Sequence, residues 1–284
     1  MARSPDISPL SVLLSRVDAV GDGSSPTIDT IGCGFPSVDK ALGGGFRRTD
    51  LTVLGGDVGS GKSSLALAMA IRAAMAGTRV AFFSSEMTRD RLLERVIAIE
   101  GRVKIEDLRR GDLDDVERAS AGAVAVRLRH AIPLIERLPL GGVPLLTERL
   151  SGMPEFDLLV VDGLPGFARG SRALEEELAA AVRELKTLAL DRDAAILTTA
   201  QLPALSARPD RRPVLDDFGA LGAVKQHADV VLGLFREDMY EPARDIAGAT
   251  ELLIRKNRNG ATGYVDLYFY AQWMRFEDML DPDR

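Results

Sequence analysis

From residue 31 onward, short apolar segments alternate with longer segments that have the spacing of amphipathic helices. Several apolar segments are almost uninterrupted, which is typical of strands buried on both faces of a parallel sheet. The predicted strands are Leu51–Leu54, Val80–Ser84, Leu158–Asp162, Ala195–Thr199, Val230–Phe235, Leu252–Lys256 and Tyr264–Tyr270. The predicted helices include Lys62–Met75, Arg89–Glu100, Asp115–Arg129 and Leu174–Leu190. This alternation predicts an α/β fold with helices on both faces of a mostly parallel sheet.

The last two predicted strands follow one another without an intervening helix. Asn259-Gly260 lies between them, and this dipeptide favours tight hairpin turns. We therefore predict that residues 252–256 and 264–270 form an antiparallel addition at one edge of the sheet.

The first 30 residues have a different pattern. Pro9–Val20 is predicted to be a short amphipathic helix with a proline at its start. Its apolar side consists of Leu10, Leu13, Leu14 and Val17. Residues 21–30 are rich in Gly, Ser and Pro and are predicted to be a linker. The helix either folds back on its own domain or packs as an arm on a neighbouring subunit. The predicted organisation is an arm over residues 1–30 and one large domain over residues 31–284.

Composition and charge indicate the cellular compartment and exclude some classes of partner. Hydrophobic residues make up 46% of the 284 residues, which is enough for a sizeable core, and the net charge is −6. A protein that coats nucleic acid by charge alone would be basic, so any DNA contact must be a local cluster. No apolar run approaches the ~18–20 residues of a membrane span, and the N-terminus has no signal-peptide pattern. The single cysteine, Cys33, excludes an internal disulfide and favours a reducing cytoplasm.

Residues 55–64 match a phosphate-binding loop. Gly56, Gly61, Lys62 and Ser63 fit the pattern G-x-x-x-x-G-K-[ST] at each fixed position. Glycines allow the backbone N–H groups to curl around a phosphate, and a predicted strand and helix flank the loop as required. The pattern predicts a nucleoside triphosphate, with Lys62 on its β and γ phosphates and Ser63 on Mg²⁺. The candidate nucleotide-binding residues are Gly56, Asp57, Val58, Gly59, Ser60, Gly61, Lys62, Ser63 and Ser64.

Two acidic residues follow predicted strands. Asp162 is the last residue of an apolar strand that follows the phosphate loop in the sequence. A carboxylate at this position helps to place Mg²⁺. Glu86 follows the strand Val80–Ser84 and is a candidate to orient and deprotonate the attacking water. The alternatives are an ordinary turn residue for Asp162, and for Glu86 a carboxylate that a helix N-terminus favours.

Three further residues are candidates for nucleotide sensing or catalysis. Gln201 ends another strand and either senses the γ-phosphate or is simply a polar loop residue. Lys256 and Arg258 are two residues apart and so project from one face of a strand. They either reach the phosphate of a neighbouring subunit or form the solvated, positively charged face of an edge strand.

Six aromatic residues lie close together near the C-terminus. They are Tyr264, Tyr268, Phe269, Tyr270, Trp273 and Phe276. Core packing and edge closure are favoured over a stacking platform for bases.

Together these segments resemble the C-terminal motor domain of DnaB-type replicative helicases, within the RecA-like ATPase superfamily. The resemblance covers about residues 31–278 and is more distant to RadA-type recombination ATPases. Beside the phosphate loop, the matching segments are Gly34–Asp39 with Gly43-Gly44-Gly45, Ser85-Glu86-Met87, Asp162, Ala200-Gln201-Leu202, Arg212-Pro-Val214, Gln226-His-Ala-Asp229, Lys256-Asn-Arg-Asn-Gly260, Gly263 and Gln272–Phe276.

The resemblance implies a RecA-like P-loop ATPase that uses ATP and Mg²⁺ in a hexameric ring. By position, Glu86 is the catalytic carboxylate, Asp162 the metal-site acid and Gln201 the sensor. Lys256 and Arg258 match the pair that acts in trans on the neighbouring subunit's ATP. Pro9–Val20 falls where the family has a linker helix that docks on the adjacent subunit, which favours the arm interpretation.

The chain departs from the family where the family meets DNA. Asp217-Phe-Gly-Ala-Leu-Gly222 replaces a central-channel loop that usually reads Asp-Leu-Arg-Glu-Ser-Gly, so Gly219 stands where the family's DNA-contacting arginine is. Pro203-Ala204 and Gly163-Leu-Pro165 also differ from the family pattern. The 30 residues before the motor region stand in place of the family's helical domain that contacts primase.

Two functions are therefore predicted. The first is an oligomeric ATPase that translocates on single-stranded DNA in replication or a related process. Arg208, Arg211, Arg212 or Lys225 would then supply the phosphate track that the channel loop lacks. The second is a regulatory or loading ATPase of the same fold whose ring or filament acts on a protein partner, such as a replication or loader protein.

Overall fold

The computed structural model describes residues 9–22, 29–170, 173–203, 205, 208–241 and 246–279. By its internal contacts the chain divides into two units, Met1–Thr30 and Ile31–Arg284. In the first unit, α1 spans Pro9–Gly21, where the sequence predicts a helix. The side chains of Leu10, Leu14 and Val17 on α1 are exposed. Residues 1–8, and residues 23–28 of the predicted linker, lie outside the described residues.

The second unit is built on a nine-stranded sheet. Two short strands, β1 (Thr30–Ile31) and β2 (Phe46–Arg47), form a separate sheet. The strands of the large sheet are β3 (Leu51–Gly56), β4 (Val80–Ser84), β5 (Leu134–Arg137), β6 (Leu158–Asp162), β7 (Ala195–Gln201), β8 (Val230–Arg236), β9 (Ala249–Asn257), β10 (Gly263–Tyr270) and β11 (Arg275–Asp278). Their order is β11-β10-β9-β8-β3-β7-β6-β4-β5.

The strands from β8 to β5 in this order are parallel, whereas β9, β10 and β11 are antiparallel to their neighbours. The predicted parallel sheet with an antiparallel C-terminal edge is confirmed. The pattern does not predict β5 and β11. Each has four residues with a single buried apolar side chain, Ile135 in β5 and Phe276 in β11, so neither gives a strand-like apolar run.

Helices cover both faces of the sheet. They are α2 (Pro36–Ala41), α3 (Lys62–Met75), α4 (Arg89–Gly101), α5 (Ile105–Arg110), α6 (Asp115–Arg127), α7 (Val143–Ser151), α8 (Leu174–Arg192) and α9 (Ala223–His227). Local capping explains several boundaries. The Thr88 hydroxyl accepts a hydrogen bond from Arg91 N at the start of α4. Asp114 and Glu117 form a reciprocal capping box at α6, and Asp193 takes a left-handed conformation after α8.

The core consists of two apolar clusters, one on each side of the sheet. In β6, Leu158 and Val160 belong to the cluster that contains α3, whereas Leu159 and Val161 belong to the cluster that contains α8. This alternation accounts for the continuous apolar run of the strand, since successive side chains point to opposite faces. Among the described helices, none combines the length and apolar character needed to cross a bilayer.

The parallel strands place the candidate residues at one edge of the sheet. The carboxyl ends of β3, β4, β6 and β7 meet there, and they carry the phosphate loop, Glu86, Asp162 and Gln201. In open α/β sheets, ligands bind in the crevice outside these carboxyl ends. The fold therefore supplies one crevice for residues that are far apart in the sequence.

Candidate nucleotide-binding site

The phosphate loop connects the end of β3 to the start of α3. Gly59 and Gly61 have φ values of 80° and 99°, in the left-handed region that favours glycine. A Cβ atom at Gly61 would also lie 2.8 Å from Cζ of the buried Phe276. The two glycines therefore let the loop curl so that the N-terminus of α3 faces the crevice, as an anion site requires.

A cavity of about 400 Å³ lies against this loop. Six candidate loop residues line it: Val58, Gly59, Gly61, Lys62, Ser63 and Ser64. Glu86, Asp162 and Gln201 line the same cavity. Asp57 instead accepts a hydrogen bond from the Tyr240 hydroxyl at 2.8 Å, and burial together with this carboxylate raises the pKa of Tyr240 to about 12. Gly56 ends β3, and Ser60 is buried at 1% exposure.

The Lys62 side chain is held within the loop. Its Nζ donates to Asp57 O at 2.8 Å. Burial lowers the pKa of Lys62, and the carboxylates of Asp162, Glu86 and Asp57 oppose that shift. An ammonium has three donors, so Lys62 keeps donors for an anion in the cavity.

Asp162 lies where the site would hold a metal ion. Its Oδ1 accepts from the Ser63 hydroxyl at 2.9 Å and from the Thr199 hydroxyl at 2.7 Å. Burial raises the pKa of Asp162, which is 1% exposed. Within the described residues its Oδ2 has no hydrogen-bond partner, although it is buried. A buried carboxylate oxygen without a partner, beside a serine hydroxyl, fits a divalent cation.

The donor set around Asp162 fits Mg²⁺ in particular. In the part of the chain that is described, no group of three or more His, Cys, Asp or Glu residues could hold a metal ion. Mg²⁺ does not need such a group, because it usually keeps several waters and takes one or two protein ligands plus phosphate oxygens.

Glu86 and Gln201 reach the cavity from the ends of two further parallel strands. Glu86 is exposed, and the Ser84 hydroxyl accepts from the backbone N–H groups of Glu86 and Met87, which fixes the turn after β4. Gln201 ends β7, pairs in register with Gly56 and is exposed. Both side chains are thus accessible to a ligand in the cavity.

Arg95 lines the cavity and is absent from the sequence-based predictions. Burial lowers its pKa, and the carboxylates of Asp162 and Glu86 oppose the shift. Among the described residues its buried Nε has no hydrogen-bond partner. The sequence did carry a signal, since Arg95 lies on the same side of α4 as the buried Leu92 and Val96.

Arg236 is a second cation that the sequence-based predictions missed. It ends β8, lines the cavity, and donates to Gly59 O at 3.5 Å and to Asp238 at 2.9 Å. Its guanidinium lies 4.6 Å from the centroid of the Phe269 ring. A cation at the carboxyl end of a buried parallel strand was the available signal.

Five of the six clustered aromatic residues form two groups, whereas Tyr264 is exposed. Phe269 and Phe276 are buried with ring centroids 4.5 Å apart, so core packing is confirmed for this pair. Tyr268 and Tyr270 lie on the other face of β10 with ring centroids 4.6 Å apart, and the Trp273 ring lies 5.1 Å from that of Tyr270.

Lys256 and Arg258 lie at the opposite end of the parallel strands from the cavity, beside the starts of β3 and β8. Arg258 N donates to Asp229 O, and Asp229 N donates to Leu51 O at the start of β3. The phosphate loop follows the other end of this 6-residue strand, so at about 3.3 Å per residue the two levels are roughly 16 Å apart. Neither cation lines the cavity of its own chain.

The interpretation of Lys256 and Arg258 as residues of a solvated edge strand is wrong. Lys256 belongs to β9, which lies between β8 and β10 inside the sheet, and Arg258 directly follows this strand. Lys256 Nζ donates to Lys225 O and Ala228 O, and Arg258 Nη2 donates to Gln226 O. Burial lowers the pKa of Lys256, and the neighbouring Arg258 lowers it further. Both cations therefore cap the carboxyl end of α9.

The predicted phosphate-track cations are all engaged in ion pairs. The pairs are Arg208 with Asp217, Arg211 with Glu241, Arg212 with Glu251 and Lys225 with Asp216. Two short 3-10 turns carry the altered channel loop, and Leu221 at its tip is exposed with φ 50°. Of the residues that differ from the family after Gln201, Ala204 lies outside the described residues.

A protein-family model matches most of the chain. The model described as DnaB-like helicase C terminal domain matches residues 30–278. The chain belongs to this family. The resemblance to DnaB-type motor domains is thereby confirmed.

Curated relatives and solved structures agree with this assignment. The chain is 29% identical to the replicative DNA helicase DnaB of Geobacillus stearothermophilus, over 91% of this chain and 58% of the relative. It is 30% identical to the DnaB of Leifsonia xyli, over 91% of this chain and 57% of the relative. The chain thus spans less than three fifths of each of these two relatives.

Two solved structures share the fold. One, described as an ATPase domain, superposes with a TM-score of 0.86 at 21% identity, over 98% of this chain and 100% of that chain. The other, a DnaB-like replicative helicase studied with primase, gives a TM-score of 0.84 at 21% identity, over 98% of this chain and 68% of that chain. The fold is RecA-like, as predicted.

Proposed function

We propose that this chain is the ATP-hydrolysing motor of a DnaB-like DNA helicase, working as a homo-oligomeric ring, most simply a hexamer. The observation that carries the proposal is the separation of two half-sites on one chain. The phosphate loop, Glu86, Asp162 and Gln201 line one cavity at the carboxyl ends of the parallel strands. Lys256 and Arg258 lie at the opposite end of these strands. Head-to-tail contacts in a ring bring the second half-site of one subunit to the first half-site of the next.

Each residue of the proposed composite site has a separate role in ATP hydrolysis. The loop N–H groups and Lys62 bind the phosphates, and Ser63 with Asp162 would hold Mg²⁺. Bound Mg²⁺ neutralises charge that develops on the phosphate oxygens. Glu86 orients the attacking water and accepts its proton. Lys256 and Arg258 of the neighbour stabilise the charge on the transferring phosphoryl group. Gln201 senses the γ-phosphate at the end of β7.

We expect Asp162→Asn to raise the Mg²⁺ concentration that supports half-maximal ATP hydrolysis by about 10- to 100-fold, since a carboxylate that orients a metal contributes this much to its affinity. A Mg²⁺ titration of the ATPase rate at saturating ATP measures the shift. Asp216→Asn is a suitable control, because Asp216 is an exposed carboxylate outside the cavity. An unchanged Mg²⁺ dependence in Asp162→Asn would remove Asp162 from the metal site.

Single-stranded DNA is the proposed track, and family membership supports it. The ion pairs of Arg208, Arg211, Arg212 and Lys225, together with Gly219 in the channel loop, favour the second candidate function. In that case the ring acts on a protein partner, such as a replication or loader protein, with little DNA unwinding. We propose a cytoplasmic location for either function, supported by the free thiol of the buried Cys33.

We further propose that residues 1–30 form an arm that docks on the adjacent subunit, while residues 31–284 form the ATPase domain. The support is the exposed apolar face of α1, which includes Leu10, Leu14 and Val17. Exposed apolar side chains on one helix face favour burial against another surface.

The ATPase rate with and without single-stranded DNA, across a salt titration, tests the DNA motor against the protein-directed ATPase. A DNA motor predicts a rate that rises on adding DNA and a stimulation that fades as salt increases, because phosphate contacts release counterions. An ATPase rate that is indifferent to DNA at every salt concentration supports the protein-directed function instead. Adding Arg208→Ala shows whether this ion-paired cation contributes to the stimulation.

A further inference from the structure

A buried carboxylate lies directly beneath the Arg258 guanidinium. The Asp229 side chain is 4% exposed and precedes β8. Its Oδ2 accepts from Leu51 N at 2.8 Å and from Lys186 Nζ at 2.6 Å. Lys186 also donates to Thr49 O at 2.8 Å. The backbone at β3 and a lysine of α8 therefore fix this carboxylate independently of Arg258.

Arg258 rests on this fixed carboxylate from one side only. Its Nη1 donates to Asp229 Oδ1 at 3.0 Å, and its Nη2 donates to Gln226 O at 2.8 Å. The Arg258 side chain is 50% exposed. A guanidinium has five N–H donors in a rigid fork, so the open side keeps donors for an incoming anion.

We propose that Asp229 is a positioning residue that holds Arg258 in the orientation in which it meets the phosphates bound by the adjacent subunit. This inference rests on the trans role of Arg258 proposed above. A preorganised cation loses little freedom when its target arrives, and small errors in placement are costly to the rate. Lys186 balances the Asp229 charge from within, so the carboxylate can present its second oxygen to Arg258.

The competing explanation is that Asp229 only joins β3, α8 and β8. The two explanations predict that a substitution at Asp229 impairs the nucleotide site of different subunits. Loss of a purely structural contact at Leu51 disturbs the chain's own β3 and its own phosphate loop. Loss of a positioning contact leaves that loop intact and impairs the cation offered to the neighbouring subunit's site.

The test uses Asp229→Asn, which keeps the shape of the side chain and removes its charge. In uniform rings, we expect kcat for ATP hydrolysis to fall about 10- to 100-fold with an unchanged KM for ATP. Co-assembly with Glu86→Ala should restore activity, because Asp229→Asn subunits keep Glu86 and receive an intact Arg258 from the Glu86→Ala neighbours. Asp229→Glu, which keeps the charge but displaces the carboxylate, should behave similarly and serves if the Asn variant does not fold.

Two reference variants separate the outcomes. Arg258→Ala mixed with Glu86→Ala reports on the trans role itself. Recovery with Arg258→Ala but not with either Asp229 variant overturns the positioning role and leaves the proposed function standing. No recovery with Arg258→Ala in verified mixed rings overturns the trans role, and the inference with it. Asp157→Asn is the matched control, since Asp157 precedes β6 and pairs with Arg48 and Arg79. It should lower thermal stability without changing kcat.

Discussion

Replacing Lys62 with alanine is expected to reduce ATP hydrolysis by about 10³-fold or more, to the background of the assay. The Lys62 ammonium is partly desolvated in the loop and lies among the carboxylates of the cavity, where an added phosphate is its natural partner. Its removal deletes the cation that meets the β and γ phosphates without disturbing the buried side of α3. A phosphate-release assay on the purified oligomer measures the loss.

Lys40→Ala is the matched control for the Lys62 variant. Lys40 is an exposed lysine on α2 and does not line the cavity. The control should hydrolyse ATP at the unmodified rate. Persistent turnover by Lys62→Ala, in a preparation with normal oligomeric state, would mean that hydrolysis takes place somewhere other than this loop.

Replacing Arg258 with alanine should lower kcat by about 10³- to 10⁵-fold while leaving nucleotide binding almost unchanged. The reason is location: Arg258 lies at the opposite end of the strands from the chain's own cavity. In the proposed ring it therefore meets a nucleotide bound by another subunit. The variant should still fold, because Lys186 continues to pair with the buried Asp229. Steady-state kinetics and the affinity for a fluorescent nucleotide analogue give the two quantities.

Arg255→Ala controls for the loss of a positive charge on β9. Arg255 lies at the register irregularity between β8 and β9, and its Nε donates to Pro213 O at 2.6 Å. Its loss should cost some stability but not kcat. Equal losses of kcat in the Arg255 and Arg258 variants would indicate general damage to β9, with no specific role for Arg258.

The parts of the site that the sequence could predict are those with local signals. The phosphate loop is a contiguous motif, and Asp162 and Gln201 end strands whose apolar runs are easily recognised. Because parallel strands end at one edge, the meeting of these residues in one cavity follows from the fold class. The sheet order and the short strands β5 and β11 depend on long-range pairing and were not predictable in this way.

The cations were harder to predict because packing decides their surroundings. Arg95 and Arg236 enter the cavity only because α4 and β8 are docked beside the phosphate loop. The sequence does not show that the four phosphate-track candidates are paired. In the folded chain each forms an ion pair with a carboxylate, as Arg208 does with Asp217. The place of Arg258 on Asp229 likewise requires β9 to lie inside the sheet.

The nucleotide site and the channel loop differ in how closely they follow the family. The half-site around Lys62 and Asp162 is assembled on rigid strand ends and keeps the family's residues. By contrast, residues 217–222 depart from the family pattern described above, with Gly219 at the position of its arginine and an exposed Leu221. A measurement of ATP hydrolysis therefore does not by itself test translocation on DNA.

In the proposed ring, each ATP site is completed by a neighbouring subunit. The most direct test of this arrangement is the ATPase rate of rings co-assembled from Glu86→Ala and Arg258→Ala subunits across a range of mixing ratios. Each variant alone should be inactive. Random mixing rebuilds complete sites at interfaces where the two types meet in the right order, about a quarter of them at equal ratio. The rate should be maximal at the equal mixture and fall towards both ends. A rate that stays at background at every ratio, in rings shown to contain both variants, would contradict this arrangement.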